Sequence, residues 1–361
     1  MKKLMGILLA ASMVFSLAAC GSTADTAASS AAGTTATAEG SSNNQAPDAR
    51  LGAIILGDET EGYSAAHING IKEAAAELGM SDDQIVWKYK IAEGGVTADA
   101  AEDLVGQGCN LIISNSYGHQ TYMEEEAEKY PDINFVAMTG DFAAISDLDN
   151  FYNAFTAVYQ SRYVSGVVAG MKVKELVESG TLTPETQPDS FTADGKVKIG
   201  YVGAYNYAEV VSGYTAFFLG VQSVYPDVQM EVMYTNSWFD IDKEGAAAEA
   251  LIANGAVIIG QHADSTGAPA ATQKLKDSRA EDAATPSATT LTCLDTAPTR
   301  CPDLRENVWK VYYKELFEGA QAGNHPAGWC KGYEDGAVAI TDLGPEVATA
   351  PPRRSPRLRL R

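Results

Sequence analysis

The chain has 361 residues, 45% of them hydrophobic, and a formal net charge of −21. Its length favours two domains over one. So acidic a surface argues against nucleic acid or anionic lipid as a partner of the folded part. The five cysteines show no metal-ligand spacing, so the sequence predicts neither a metal site nor a disulfide framework.

Residues 1–20 predict a cleaved signal peptide with a lipid attachment site. A charged Met-Lys-Lys start precedes an apolar stretch, 4–17, that is too short to span a bilayer. The Leu-Ala-Ala-Cys ending at Cys20 resembles the lipobox of bacterial lipoproteins, so Cys20 is expected to carry the lipid of the mature chain. The alternative is an ordinary secretory signal with an incidental cysteine. The lipid would place the protein on the extracytoplasmic face of the cell membrane.

Residues 21–50 predict a flexible linker. The stretch consists mainly of Ser, Thr, Ala, Gly and Asn and has no aromatic residue, so it lacks the material for a core. We therefore expect the folded part to move freely relative to its anchor.

Strand and helix patterns alternate from Leu51 onward. The run 51–56 is short and apolar and ends at Gly57, as expected for a strand buried on both faces. Ser64 is expected to cap the first helix, which ends at Gly79. The other predicted elements of this half are strands 85–89, 111–114 and 134–139 and helices 98–105 and 122–129.

A second alternating series follows a strand at 151–158 that we expect at the edge of a sheet or at a crossing between domains. Its predicted elements are helices 162–177, 208–224, 243–253 and 270–276 and strands 198–202, 230–234 and 257–259. A polar excursion spans 180–195. Alternation of this kind predicts an α/β fold with two doubly wound parallel-sheet lobes.

The segment 279–306 breaks the pattern. It contains no Val, Ile, Phe, Tyr or Trp, although a buried strand should follow the helix before it. Eight of the ten arginines lie either here or in the Arg- and Pro-rich tail, 346–361. We interpret both stretches as read in a shifted frame, through sequencing error or mutation. The alternative is a genuine disordered insertion with a basic tail, and resequencing the coding DNA distinguishes the two.

Signatures of catalysis are missing from the sequence. There is no phosphate-binding Gly-rich loop, no His-Glu-x-x-His and no Gly-x-Ser-x-Gly motif. The four histidines show no metal spacing and are expected to be surface or packing residues. We therefore predict that the chain is not an enzyme and has no cofactor or metal.

Aromatic and small polar residues recur just past the predicted strands. Because ligands of open α/β sheets sit outside the carboxyl ends of the strands, these loops should share one rim. Aromatic faces stack on planar rings, while Asp and Asn bind hydroxyls or ring nitrogens, so the rim suits a polar, ring-bearing molecule. N-capping is the alternative for Asp264, and packing is the alternative for nearby tyrosines. The candidate ligand-binding residues are Asn115, Ser116, Tyr117, Asp141, Phe142, Tyr205, Trp238, Asp240 and Asp264.

A family resemblance covers residues from about 57 to 343. It is carried by Asn134-Phe-Val, Phe155-x4-Gln160-x2-Tyr163-x2-Gly166-Val-Val-Ala-Gly170, Gly195-Lys-Val-Lys-Ile-Gly-Tyr-Val-Gly203 and Ser237-Trp-Phe-Asp240. These motifs together resemble the basic membrane protein family. Its members are lipoproteins that serve as substrate-binding components of ABC importers, and characterised members bind purine nucleosides. The resemblance implies a periplasmic-binding-protein type I fold, with the ligand between two hinged lobes.

The resemblance also assigns residues and lobes. Tyr63 and Ser64 of the first loop match the family's cleft, together with the Asn115-Ser116 loop, the Asp141 turn, Trp238 and Asp264. The N-terminal lobe is expected at 51–157 plus about 307–325, and the C-terminal lobe at 158–306 plus about 326–345. Between residues 276 and 307 the family has a strand, a pocket acid and a chain crossing, where this chain has the anomalous segment.

From these observations the sequence predicts a monomeric, membrane-tethered protein that captures a nucleoside-like solute and delivers it to an ABC permease. One alternative is a binding protein for another ring-bearing solute, such as a flavin. A second alternative is a surface sensor or adhesin that uses the same fold to contact a protein.

Overall fold

The computed structural model describes residues 48–281, 292–293, 306–322, 325 and 328–339. The predicted signal peptide, the lipidation at Cys20 and most of the linker lie outside the described residues. So do most of the anomalous segment and the tail, 346–361.

Helices and strands alternate along the described part of the chain. In order they are β1 (Leu51–Ile54), α1 (Gly62–Glu77), β2 (Ile85–Lys88), α2 (Gly95–Gly106), β3 (Leu111–Ser114), α3 (Gln120–Lys129), β4 (Asn134–Met138), β5 (Phe151–Thr156), α4 (Tyr159–Glu178) and β6 (Val197–Gly203). The chain continues with α5 (Ala208–Val224), β7 (Val228–Tyr234), α6 (Ile241–Ala253), β8 (Ile258–Gln261), α7 (Gly267–Glu281), β9 (Thr292–Cys293), β10 (Glu306–Asn307), α8 (Trp309–Ala322), β11 (Trp329–Lys331) and β12 (Val338–Ala339).

Two parallel sheets organise these elements. The first has the strand order β11-β5-β4-β3-β1-β2, and the second has the order β7-β6-β8-β9. In the first sheet, α1 and α8 cover one face and α2 and α3 cover the other. In the second, α4 and α5 cover one face and α6 and α7 the other. We call the first sheet with its helices the first lobe, and the second sheet with its helices the second lobe.

Burial on both faces explains the apolar strand sequences. Leu111 and Ile113 of β3 face α1 and α8, whereas Ile112 between them faces α2 and α3, and all three are buried. Each such side chain contributes about 1.5–3 kcal/mol when it leaves water. The α/β class with doubly wound parallel sheets is therefore as the sequence predicts.

The first helix begins earlier than the sequence suggests, and its cap is a different residue. Glu61 is the N-cap, because its carboxylate accepts hydrogen bonds from the backbone N–H groups of Tyr63 and Ser64. Ser64 is fully buried, and its Oγ accepts a 3.1 Å bond from the Gly57 N–H. The prediction that Ser64 caps α1 is wrong, since a longer side chain upstream reaches the same backbone groups.

The C-terminal part of the described chain corrects two expectations. Strand β11 (Trp329–Lys331) pairs in parallel with β5, so it belongs to the first sheet and not to the second lobe. Strand β5 consequently lies between β4 and β11 and not at an edge. It is followed directly by α4 of the second lobe, as the alternative of a crossing strand predicts. In the anomalous segment, Thr292–Cys293 pairs in parallel with β8, at the place where the sequence pattern lacks a buried strand.

Helices α4 and α5 approach closely at two glycines. A Cβ added at Gly166 would collide with the carbonyl oxygen of Phe217, and one added at Gly220 would collide with that of Tyr163. No side chain larger than hydrogen fits between the two backbones. This contact explains the glycine of the Tyr163-x-x-Gly166 motif.

We expect Gly166→Ala to destabilise the protein by about 1–3 kcal/mol, because overpacking would force the two helices apart. Gly106→Ala in α2 is the matched control, since its Cβ meets no atom within 4 Å, and it should be neutral or stabilise by about 0.5–1 kcal/mol. Urea unfolding measures both. Equal midpoints for the two variants would contradict the close contact.

Two fully buried histidines link stability to pH. Burial lowers the pKa of His67 to about 3 and that of His119 to about 4. His67 stacks on Trp309 with ring centroids 4.3 Å apart, and its Nδ1 lies 2.6 Å from the Tyr313 hydroxyl. His119 Nε2 lies 3.0 Å from the carbonyl oxygen of Ile91. Both are packing residues, one of the two roles that the sequence predicts.

The free energy of unfolding should fall as the pH drops below about 6.5. Below that pH, His67 and His119 become protonated in the unfolded chain but stay neutral in the folded chain. The loss is up to about 1.4 kcal/mol per pH unit for each histidine and continues towards the folded pKa. His119→Gln keeps a donor for Ile91 and should flatten the slope between pH 6.5 and 5. Unfolding curves across this range measure it, and an unchanged slope would refute the assignment.

Candidate functional site

A cavity of about 340 Å³ lies between the two lobes. The first lobe supplies the loops that follow β1, β2, β3, β4 and β5, and the second supplies the start of α5 and the loops after β7 and β8. Parallel strands end on the same edge of a sheet, so each lobe presents its strand ends to the cavity. The cavity therefore lies at the edge of the sheets where the sequence pattern predicts a ligand site.

Aromatic side chains form much of the wall. Tyr63, Tyr117 and Phe155 come from the first sheet's loops and strand ends, and Trp238 and Phe239 come from the loop after β7. The Tyr63 hydroxyl donates a 2.6 Å bond to the carbonyl oxygen of Asn115. Burial raises the pKa of Tyr63 well above its ordinary value, so it remains a neutral phenol.

Trp309 adds a further ring at the first turn of α8. It lines the cavity, is 1% exposed and stacks on His67, which in turn packs edge-on against Tyr63. Its indole N–H has no hydrogen-bond partner within the part of the chain that the structure describes. A buried donor of this kind gains from a solute acceptor.

Carboxylates dominate the charged groups at the cavity. Asp58 pairs with Lys90 at 2.7 Å, which lowers the pKa of the Asp58 carboxyl and raises that of the Lys90 amine. Glu209 Oε2 lies 2.9 Å from Nε2 of His262. Asp264 also lines the cavity. Such a set favours hydroxyl and N–H donors over phosphate, which the carboxylates repel.

The loops of the second lobe are tied together beneath the cavity. The Asp264 N–H donates a 2.7 Å bond to the carbonyl oxygen of Trp238. Glu244 of α6 is fully buried, and its carboxylate accepts bonds from the backbone N–H groups of Asp240 and Ser265. Burial raises the pKa of this carboxyl. Glu244 thus fixes the positions of the Trp238 and Asp264 loops relative to each other.

Some candidate residues from the sequence line this cavity and others stand behind it. Tyr63, Ser116, Tyr117, Trp238 and Asp264 are in the wall. Ser64 and Asn115 are buried behind it and bond to each other, with Asn115 Nδ2 3.3 Å from Ser64 Oγ. Asn115 Oδ1 also accepts a 2.7 Å bond from the Leu56 N–H, so this pair shapes the loop after β1.

Four further candidates also lie outside the cavity wall. Asp141 accepts a 3.3 Å bond from Gln120 and a 3.4 Å bond from the Tyr117 hydroxyl. Phe142 packs against the core on the α2 and α3 face of the first sheet. Tyr205 packs edge-on against Trp238 with ring centroids 4.9 Å apart. Asp240 is the N-cap of α6, so capping explains its place after β7.

Sequence reasoning missed several wall residues. Phe155 and Thr156 belong to β5, where the sequence pattern predicts core residues. Glu209 lies in the first turn of α5, where an acidic residue is expected to stabilise the helix N-terminus. Thr139 has a φ of 59°, a left-handed conformation that is rare for a β-branched residue and common at functional sites. Nothing in the local pattern signals Trp309, because α8 returns to the site from a distant part of the chain.

The described residues hold neither a cluster of metal ligands nor a membrane-spanning helix. No cluster of three or more His, Cys, Asp or Glu side chains among them could hold a metal ion. None of their helices has the length and apolar character needed to cross a membrane.

Comparison with known proteins identifies related chains. The family described as ABC transporter substrate-binding protein PnrA-like (Bmp) matches residues 59–282. A purine-binding protein of Brucella abortus is 34% identical over 220 residues, 61% of this chain and 55% of that protein. A protein of Haloferax volcanii with the name "Putative ABC transporter glucose-binding protein" is 30% identical over 200 residues, 54% of this chain and 44% of that protein. The chain thus spans about half the length of these curated relatives.

A solved structure supports the fold. An ABC transporter solute-binding protein of Aeropyrum pernix superposes with a TM-score of 0.62 at 14% identity, over 81% of this chain and 76% of that one. The family consists of ABC transporter substrate-binding proteins, which are not enzymes. The chain belongs to the PnrA-like family of ABC transporter substrate-binding proteins, which confirms the resemblance seen in the sequence motifs.

Proposed function

We propose that this chain captures a purine nucleoside, or a closely similar solute, between its two lobes and delivers it to an ABC permease. Membership of the PnrA-like family supports the transport role. The Brucella abortus relative, which is named as purine-binding, supports the class of solute.

The observation that carries the proposal is the pairing of aromatic and acidic groups in one cavity. Tyr63, Trp238 and Trp309 offer ring faces or edges to a planar base. Glu209 and Asp264 offer acceptors to ribose hydroxyls and base N–H groups. The acidic lining disfavours nucleotides, since their phosphates would meet carboxylates.

The size of the cavity is consistent with one nucleoside. Its volume of about 340 Å³ lies at the lower end of the roughly 300–1,000 Å³ found for small-molecule sites. A larger solute such as a flavin would need the lobes to stand further apart. We therefore place the flavin alternative second.

We propose further that the mature chain is a monomer, tethered through a lipid on Cys20 at the extracytoplasmic face of the membrane. Substrate-binding proteins of ABC importers work outside the cytoplasm, which agrees with the lipobox-like ending at Cys20. The flexible composition of 21–50 would let the folded part reach the permease while it stays anchored.

Trp238→Ala tests the proposed site. Loss of the ring should weaken nucleoside binding about tenfold or more, because stacking and burial of the base both depend on it. Isothermal titration calorimetry of the full chain with adenosine, guanosine, inosine, riboflavin and glucose measures the affinities. Glucose is included because the Haloferax volcanii relative is named as glucose-binding.

Trp87→Ala is the matched control, since Trp87 of β2 stacks on Tyr89, just after that strand, and does not line the cavity. It should retain the wild-type affinity. Equal affinity of the Trp238 variant and wild type would remove Trp238 from the site. Binding of glucose or riboflavin in preference to every nucleoside would replace the proposed solute, and binding of none would favour a sensor or adhesin.

A further inference from the structure

Contacts between the lobes form a closed circuit at the rim of the cavity. Tyr117 of the first lobe stacks on Tyr207 of the second, with ring centroids 4.9 Å apart and planes 25° apart. Tyr207 stacks on Tyr205 at 5.1 Å, and Tyr205 packs edge-on against Trp238 at 4.9 Å. The circuit closes at Glu93, which bonds to Trp238. It therefore crosses between the lobes twice.

Glu93 is the centre of the hydrogen bonds in this circuit. It lies in the loop between β2 and α2, and its Oε1 accepts bonds from Ser116 Oγ at 2.6 Å and from the Gly118 N–H at 2.8 Å. The same oxygen accepts a 3.1 Å bond from Nε1 of Trp238, across the gap between the lobes. Charge-assisted bonds of this kind are stronger than neutral ones.

The position of the Glu93 carboxylate depends on the absence of a side chain at Gly118. A Cβ added at Gly118 would collide with that carboxylate, and the three atoms nearest to it all belong to the Glu93 side chain. The side chain at 118 therefore decides whether Glu93 can bond to the loop and present its oxygen to Trp238.

Most members of the circuit lie outside the cavity wall. Glu93, Tyr205 and Tyr207 do not line the cavity, and Glu93 and Tyr207 are exposed. Glu93 and Tyr207 contact the opposite lobe, whereas Tyr205 packs against Tyr207 and Trp238 within the second lobe. Three of the residues that the sequence offers as ligand contacts, Tyr117, Tyr205 and Trp238, take part in this circuit.

We propose that Glu93, Tyr117, Tyr207 and Trp238 form a clasp that holds the two lobes closed and thereby sets the rate at which the bound solute escapes. The inference rests on the proposed function, because it adds positioning residues to the same site. A closed cleft is favoured by any contact made only when the lobes meet, and these contacts meet that condition. Since opening must precede escape, the clasp acts on the dissociation rate and leaves association nearly unchanged.

Three variants break the clasp in different ways. Glu93→Ala removes the acceptor, Gly118→Ala displaces the carboxylate without removing it, and Tyr207→Ala removes the stack. Each should raise the solute dissociation rate about two- to tenfold, the effect of one net hydrogen bond or ring contact. Stopped-flow displacement of adenosine from the full chain measures the rate. Glu125→Gln on the exposed face of α3 is the control for loss of charge and should behave as wild type.

A double-mutant cycle separates the clasp from a general structural effect. Trp238→Phe keeps an aromatic ring but removes the N–H donor together with the five-membered ring of the indole, so Glu93→Ala should have a smaller effect in that background. Gly118→Ala should add little to Glu93→Ala. Independent, additive effects in both cycles, or dissociation rates equal to wild type in all three single variants, would overturn the proposal.

A measurement without solute keeps the test separate from the proposed function. Small-angle X-ray scattering of the same proteins should give a larger radius of gyration for Glu93→Ala and Tyr207→Ala than for wild type and Glu125→Gln. If no solute binds the wild type, the proposed function is wrong. The comparison of radii of gyration still tests the clasp in that case, because it needs no solute. Identical radii together with identical melting temperatures would refute it.

Discussion

The parallel course of the strands is the constraint on which the rest of the structure depends. Strands β1, β3, β4 and β5 run in one direction through the first sheet, so their loops emerge on one edge. Strands β6, β7 and β8 do the same in the second sheet. The cavity forms where the two loop edges face each other. Helices on both faces of each sheet keep these edges rigid, so short loops can hold side chains at fixed positions.

Five of the acidic side chains near the site fall into two groups. Glu61, Asp240 and Glu244 are engaged by backbone N–H groups and hold the loops and helix starts in place. Asp58 and Glu209 are paired with Lys90 and His262 at the cavity itself. A strongly acidic chain can therefore build an acidic cavity without leaving its buried carboxylates unsolvated, because the backbone supplies most of the compensation.

Much of the fold was predictable from local patterns. The helix 208–224 and the strand 111–114 have the same bounds in sequence and structure, since each combines a clear period with clear ends. Helix α1 was misjudged at its start, because a Glu cap is less common than a Ser cap and the sequence offers both. Strand β11 was assigned to the wrong lobe, because strand pairing is a long-range choice that a run of three residues does not encode.

The sequence by itself determined the alternation of strands and helices, the edge of the sheets on which a solute would sit, and the aromatic and acidic chemistry of Trp238 and Asp264. These follow from periodicity and residue type, which are local properties. Only the tertiary structure decided that Trp309 and Glu209 join the wall, that Asp240 caps a helix, and that Glu93 meets Trp238. Such contacts join residues that are far apart in the sequence; Glu93 and Trp238, for example, are separated by 145 positions. Their distances depend on how two sheets pack and approach each other, which no short window of sequence specifies.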